Sequence, residues 1–238
     1  MTGYIIVIEG TDGCGKHTQA KQLYNTLTKL IPNHVFEISF PNYASNSSAP
    51  VKMYLDGTLG SDANCVDAYQ ASTLYAVDRL CTYLTEIKSH YENGDVIIID
   101  RYTPSNALHQ AGKITDLTEK DKFLDWLFDF EYNKLSLPQP NKVIFLNVPV
   151  EVSEKLRAER QVRDGFKTGS TKDIHEQDVN HLKHAYESGM YVSLKYGWDI
   201  IACTKNNEML SIDKIAQQIY KTLTNDKTFV NQIKALKQ

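Results

Sequence analysis

The chain has 238 residues, enough for one α/β domain with a sizeable core and tight for two, so residues 1–238 are expected to form a single unit. Composition is ordinary for a globular protein, 42% apolar and 23% charged, and a net charge of −3 excludes a global basic field that would recruit nucleic acid. No apolar run approaches the roughly 20 residues of a membrane helix, the start at Met1-Thr2-Gly3-Tyr4 has no charged leader before an apolar stretch, and the dispersed cysteines (Cys14, Cys65, Cys81, Cys203) form no C-x-x-C pair. Those exclusions set the expectation of a cytoplasmic protein in a reducing compartment, with neither membrane nor nucleic acid as a partner.

Residues 4–9 are a continuous apolar run, as in a strand buried on both faces of a parallel sheet. A glycine-rich loop follows, then a predicted helix over 18–31, ended by Pro32. Residues 35–40 read as a second strand stopped by Pro41, and 42–50 as a polar loop. A short helix over 51–55 ends at Asp56-Gly57, and a long helix is predicted from about 65 to 91. The third buried strand is 96–99, followed by helices over 105–111 and 119–135. A fourth strand covers 143–147 and a helix 150–160. The Gly/Ser/Thr/Lys segment 165–171 has no periodicity and, with its flanks (about 161–175), reads as a short lid. Residues 174–196 are predicted helical, 199–203 a fifth strand and 212–223 a closing helix; 225–238 are an added helix or a frayed end. Right-handed crossovers turn this alternation into an α/β fold, a five-stranded parallel sheet flanked by helices.

The loop after the first strand reads Gly10-Thr11-Asp12-Gly13-Cys14-Gly15-Lys16, the G-x-x-x-x-G-K spacing of a phosphate-binding loop in the expected strand–loop–helix context. Glycines let backbone amides converge on phosphate oxygens, the helix presents its positive end, and Lys16 adds a mobile cation. Gly10, Asp12, Gly13, Cys14, Gly15, Lys16, His17 and Thr18 are therefore expected to bind ATP. A Ser or Thr hydroxyl usually follows the lysine and binds Mg2+, but here the residue is His17, and imidazole is a poor match for that ion. Two readings stay open: Mg2+ held through waters and a carboxylate elsewhere, or impaired catalysis. Adenylate kinases are similar in lacking a hydroxyl after the lysine. Cys14 is either a small spacer or a thiol made acidic by its surroundings. No N-K-x-D run occurs, which argues against a GTPase.

Three further segments carry a family resemblance. They are Leu74-Tyr75-Ala76-Val77-Asp78-Arg79 on the long helix, Asp100-Arg101-Tyr102-Thr103-Pro104-Ser105 after the third strand, and Asp173-Ile174-His175-Glu176. Together with the phosphate loop, and in this order, they resemble the signatures of the thymidylate kinase family over about residues 4–203. The resemblance implies a P-loop kinase fold and transfer of the ATP γ-phosphate to dTMP, as in dTTP synthesis, with Mg2+ as cofactor and a homodimer as the usual assembly. A kinase for another deoxynucleoside monophosphate or a deoxynucleoside stays open as an alternative, as does a non-catalytic nucleotide-binding protein.

The residues have their own logic beside it. Asp100 ends a buried strand at the sheet's carboxyl edge, where ligands of open α/β sheets sit, and can hold Mg2+ or its waters. Its neighbour Arg101 can reach both phosphates; the bland reading is an ion pair between the two. Tyr75 and Arg79 are four apart and share a helix face, as a base-stacking ring and a base-reading guanidinium or as a surface cation–π pair. By resemblance Tyr75 stacks on the base, Arg79 reads it, and Ser105, Asn106 and Gln110 contact it, Gln110 at its N3 side. His109 stands where many members have Tyr or Phe. Asp12 matches the carboxylate that accepts from the sugar 3′-hydroxyl. Phe40-Pro41-Asn42-Tyr43 resembles the loop over the monophosphate, with Asn42 where many members have Arg. Gly13 occupies the place where one style of the family carries an arginine; the other style supplies cations from the lid. Arg157, Arg160, Arg163 and Lys167, at spacings of three and four, fit the second style, with Arg160 and Arg163 the first choices for ATP phosphates. His175-Glu176 lacks the H-e-x-x-h spacing of a zinc protease towards His181, so a zinc site is not expected.

Overall fold

The computed structural model describes residues 2–60, 65–164 and 179–237. Five parallel strands form one sheet in the order β2-β3-β1-β4-β5: β1 Tyr4–Glu9, β2 Val35–Ser39, β3 Val96–Asp100, β4 Lys142–Asn147 and β5 Asp199–Ala202. The central strand β1 is buried along its whole length. Its alternate residues serve two cores. Tyr4, Ile6 and Ile8 pack under α1 (Lys16–Leu30), α9 (Ile212–Thr224) and α10 (Lys227–Leu236), through Leu23, Leu27, Ile215, Ile219 and Phe229. Ile5 and Val7 face the other way, against Ile97, Ile99, Phe40, Ile87 and Tyr102. Each such aliphatic side chain contributes about 1.5–3 kcal/mol on burial, which holds helices to both faces.

The remaining helices are α2 (Ala49–Leu55), α3 (Ala68–Thr82), α4 (Lys88–Asn93), α5 (Thr103–His109), α6 (Leu117–Phe128), α7 (Val150–Asp164) and α8 (Val179–Tyr196). The predicted long helix starts at Ala68 rather than 65, because Asp67 and Gln70 form a reciprocal capping box. It continues through a π turn, Tyr83–Ile87, into α4. The helix predicted over 119–135 is likewise α6 followed by a π turn, Asp129–Lys134, which carries Glu131 into the interior. Residues 227–236 form a helix capped by Asp226, with Phe229 edge-on to Tyr4 at 5.4 Å. A two-stranded hairpin, β6 (Thr204–Lys205) and β7 (Glu208–Met209), escaped the sequence reading. Its turn, Asn206-Asn207, holds both residues at positive φ (54° and 59°), a conformation asparagine tolerates.

The topology fixes where a ligand can sit. β1 lies between β3 and β4: the chain runs from β1 to β2 and β3 on one side and then crosses to β4 and β5 on the other, which opens a crevice at the carboxyl ends of these strands. Ile8 is in register with Asp100, and Asp100 with Ser39. The loops after β1, β3 and β2 therefore emerge side by side. No helix among the described residues is long and apolar enough to cross a membrane.

Candidate active site

The loop after β1 has the backbone of a phosphate cradle. At Gly13, with φ 85°, a Cβ would stand 2.8 Å from the Ser153 carbonyl oxygen and 2.9 Å from Arg157 Cγ, so no side chain fits. Gly15 caps α1 in the left-handed conformation and supplies no side-chain cap, leaving the first amides of the helix for an external acceptor. Lys16 is buried and curls back over the loop. Its Nζ donates to the carbonyl oxygens of Gly10 (2.9 Å) and Thr11 (2.8 Å) and lies 4.0 Å from Asp12 Oδ1. Cys14 packs into the core, and burial pushes its thiol pKa up, which corrects the reading of an acidic thiol and leaves the small spacer.

Asp100 and Arg101 enter the crevice from the end of β3. Asp100 is buried, and its Oδ1 has no hydrogen-bond partner among the described residues. A buried carboxylate oxygen without a partner is costly unless something binds it, and a hard cation or its water shell suits that oxygen. Asp100 is therefore the residue here whose chemistry would suit such an ion. His17 stays out of this contact: its side chain is 82% exposed, and Nδ1 is 3.8 Å from Asp100 Oδ2. Arg101 takes a left-handed backbone conformation (φ 67°), at a cost of roughly 1–2 kcal/mol for a residue with a Cβ. Its amide is tied to the Ile8 carbonyl (3.2 Å), and its Nη2 donates to Asp12 Oδ1. Burial opposes the charge on Arg101, and the carboxylates of Asp12, Asp100 and Glu9 more than offset it, raising its pKa.

Glu9 was missing from the sequence reading of the site. It is fully buried and accepts from the Tyr102 amide (3.0 Å) and from Ser105 Oγ (2.9 Å to Oε2). Burial raises its pKa, and Arg101 works in the opposite direction. The Ser105 hydroxyl expected at the base is thus engaged beneath the pocket floor.

Beyond Arg101 a cavity opens. Phe40, Pro41 and Tyr43 wall it from the loop after β2, Tyr75 and Arg79 from α3, and Ser105, Asn106, His109 and Gln110 from α5, with Asp12 and Arg101 at the end towards the phosphate loop. All of the expected acceptor residues converge here, and Leu55 joins them unforeseen. The Phe40–Pro41 peptide is cis. Tyr43 stands at the mouth, 53% exposed. Asn42 turns away: its amide donates to Asp78 Oδ2 (2.8 Å), and its side chain donates to Glu86 Oε1 (2.8 Å). Gln110 is buried with an Oε1 that has no partner among the described residues.

Arg79 is no surface cation–π partner. It is 1% exposed and makes a bidentate pair with Glu131, Nε to Oε2 at 2.7 Å and Nη2 to Oε1 at 2.6 Å. Thr103 Oγ1 donates to the same carboxylate at 2.8 Å. Burial opposes the Arg79 charge and Glu131 more than offsets it, so the pKa is raised. Glu131 had no signal in the sequence, because only a π turn brings it under α3.

On the opposite side of the phosphate loop a groove runs from Gly15 and Thr18 to Leu156, Glu159, Met209 and Leu210. The hairpin that escaped prediction supplies one wall of it. Arg157 runs along Gly13, and its Nη1 is buried without a partner among the described residues. The side chains of Arg160 and Arg163, the residue Lys167, the segment 165–171 and the run 173–176 lie outside the described part of the chain.

A family model described as thymidylate kinase matches residues 8–192. The chain is 31% identical over 176 residues to a thymidylate kinase of Mycobacterium tuberculosis, covering 74% of this chain and 78% of the relative. It is 28% identical over 155 residues to a probable thymidylate kinase of Staphylothermus marinus, covering 65% and 68%. Among solved structures, thymidylate kinase from Ehrlichia chaffeensis aligns with a TM-score of 0.60 at 17% identity, over 94% of this chain and all of that one. That likeness concerns the fold, which is the P-loop kinase fold.

Proposed function

The chain belongs to the thymidylate kinase family, and we propose below which of its residues carry out that family's reaction. The protein is a nucleoside-monophosphate kinase that uses ATP to phosphorylate dTMP to dTDP; other acceptors and a non-catalytic role are not favoured. The acceptor oxygen is already anionic near neutral pH, so the reaction needs charge stabilisation and alignment more than a base. In this reading the amides from Gly10 to Thr18 and Lys16 hold the β- and γ-phosphates, and the adenosine end follows the groove towards Met209 and Leu210. Arg101 spans the donor and acceptor phosphates, as its position between Asp12 and the cavity supports.

The base enters between Tyr75 and Phe40, with Arg79 and Gln110 at its polar edge. The unpartnered Gln110 Oε1 is the observation that carries this orientation, because it suits a ring N–H donor such as thymine N3–H. Ser105 acts from below through Glu9, while Asn106 and His109 complete the wall. Asp12 accepts from the 3′-hydroxyl once a phosphate competes for Arg101. Asp100 holds Mg2+ directly or through water, and the ion would supply charge neutralisation on the phosphates. Arg157 is favoured over Arg160 and Arg163 as the cation of α7, since its side chain lies on the phosphate loop with a buried nitrogen unpaired.

The unit spans residues 1–238 and works in the cytoplasm. It pairs as a homodimer through α3 and the π turn that continues it, where Val77 (42% exposed), Cys81 and Leu84 (57% exposed) form an apolar stripe at helical spacing. An ADP-release assay across nucleosides and monophosphates, run with and without Mg2+, tests the reading. dTMP with Mg2+ should be the best combination, and equal turnover of dTMP and a purine monophosphate would remove the base assignment.

A further inference from the structure

We propose that Asp78 is a positioning residue for the acceptor: its buried carboxylate ties the loop after β2 to α3, and so holds the facing walls of the cavity at the separation that admits a pyrimidine and shuts out a purine. The proposal rests on the placement of the base between Tyr75 and Phe40. Those two rings come from different elements, Tyr75 from α3 and Phe40 from the loop. A slot built this way is only as well defined as the fastening between its walls.

Asp78 supplies that fastening. It is 1% exposed, and each of its oxygens accepts from the loop, Oδ2 from the Asn42 amide at 2.8 Å and Oδ1 from Ser47 Oγ at 2.5 Å. Hydrogen bonds to an ionised carboxylate are roughly twice as strong as neutral ones, and these two reach across 36 and 31 positions of the chain. Asp78, Thr82 and Glu86 recur every four residues along α3 and the π turn that continues it. Asn42 Nδ2 donates to both of the others, at 3.3 Å to Thr82 Oγ1 and 2.8 Å to Glu86 Oε1. Position 42, where many family members carry arginine, is here a strut between loop and helix.

The tether lies where the wall has least other support. At its start the loop is pinned by the Phe40 amide to the Asp100 carbonyl (2.9 Å), and beyond residue 48 α2 packs on α3 through Val51, Tyr54 and Ala71. Pro41 and Tyr43 lie between these anchors and line the cavity. Asp78 and Arg79 are consecutive, about 100° apart around the helix, so one residue holds the wall while the next lines the cavity. Removing the carboxylate strands the Asn42 amide and the Ser47 hydroxyl and frees the wall to move outwards. dTMP then loses contact on one side, whereas a purine, which the closed cavity excludes, gains room.

The test measures kcat and KM for dTMP, KM for ATP, and the inhibition constant of dGMP against dTMP. The proteins compared are the native enzyme, Asp78→Ala, Asp78→Asn, Ser47→Ala and the double variant of Ser47→Ala with Asp78→Ala. Asp78→Ala should raise KM for dTMP roughly tenfold and leave KM for ATP within about twofold of native. The dGMP inhibition constant should stay level or fall, so the preference for dTMP drops by about tenfold or more. Asp78→Asn keeps an acceptor for the Asn42 amide and a donor for Ser47 Oγ, and should stay within about threefold of native. Ser47→Ala should cost about threefold alone and nothing further on top of Asp78→Ala, because both act through one bond. Equal losses for dTMP and dGMP would mean that the carboxylate serves stability alone, and would overturn the proposal. Additive effects of Ser47→Ala and Asp78→Ala would overturn it too. If Asp78→Ala does not fold, Ser47→Ala decides on the same ratio, and a native preference for dTMP over dGMP in it overturns the tether. Tyr75→Leu checks the premise: if it uses dTMP as the native enzyme does, the base placement itself has failed. A weakened Tyr75→Leu beside a silent Asp78→Ala means that only the tether has.

Discussion

The two halves of the site are built differently. The phosphate-loop side is local: nine consecutive positions, Gly10 to Thr18, shape a backbone cradle over which the buried Lys16 curls. The acceptor side is assembled from afar. Arg79 meets Glu131 across 52 positions, Arg101 meets Asp12 across 89, and Ser105 meets Glu9 across 96. A cradle of backbone should tolerate most side-chain changes around it and fail at one cation. A network of mutually buried charges should lose several functions, and stability, when any member is removed.

The largest expected effect tests the donor half of that contrast. Lys16→Ala removes the cation but leaves the glycine backbone and the core beneath it. Turnover should fall by about a thousandfold or more, with the thermal midpoint within a few degrees of the native value. Retained turnover above about a tenth of native would show that the cradle does not carry the transferring phosphate.

The next effect tests the acceptor half. Glu131→Gln leaves the buried Arg79 without its counter-charge, which typically costs about 3–5 kcal/mol. The melting temperature should drop, and kcat/KM for dTMP should fall roughly a hundredfold as the guanidinium loses its orientation. Arg79→Ala should weaken dTMP use comparably. Both should leave the KM for ATP nearly unchanged. If ATP affinity fell as far as acceptor use, the halves would not be separable.

The same contrast governs what could be read from the chain. The strands were legible from their apolar residues, which run unbroken in β1, β3 and β4, and the cradle because glycine spacing encodes backbone shape directly. The residues that line the cavity were legible as a set, since Tyr75 and Arg79 share a helix turn and Arg101 to Gln110 follow one strand. Their partners were not. Nothing near Glu131 in sequence marks it as buried; a π turn after α6 delivers it. Glu9 reads as the polar end of a strand until Tyr102 and Ser105 close over it. The hairpin at Asn206-Asn207 did carry a turn signal, and its two-residue strands are too short to show alternation.

A smaller effect sharpens the donor side. Arg157→Ala should reduce kcat roughly tenfold with little change in the KM for dTMP, because the side chain rests on Gly13, away from the acceptor cavity. Arg160→Ala and Arg163→Ala, measured in parallel, rank the three arginines of α7. A larger loss at either of them would move the phosphate contact outwards along the helix.

The smallest expected change is at His17, where the phosphate-loop pattern and the chain disagree most openly. The imidazole is exposed, and its contact with Asp100 is a long 3.8 Å, so it neither fills the cradle nor completes a ligand set. The buried, unpartnered oxygen is on Asp100 instead. His17→Ser should therefore alter turnover by no more than about twofold at saturating Mg2+, even though it introduces the oxygen that phosphate loops usually place there. Asp100→Asn, which removes the carboxylate charge and keeps the shape, should raise the Mg2+ concentration needed for half-maximal turnover by tenfold or so. Titrating Mg2+ against turnover in the native protein and both variants separates the possibilities. A native enzyme that is nearly inactive and revived by His17→Ser would mean that the missing hydroxyl matters and the carboxylate does not replace it. A Mg2+ dependence untouched by Asp100→Asn would mean that the ion is held by the phosphates alone, and that the orphaned oxygen at the end of β3 serves Arg101 rather than the metal.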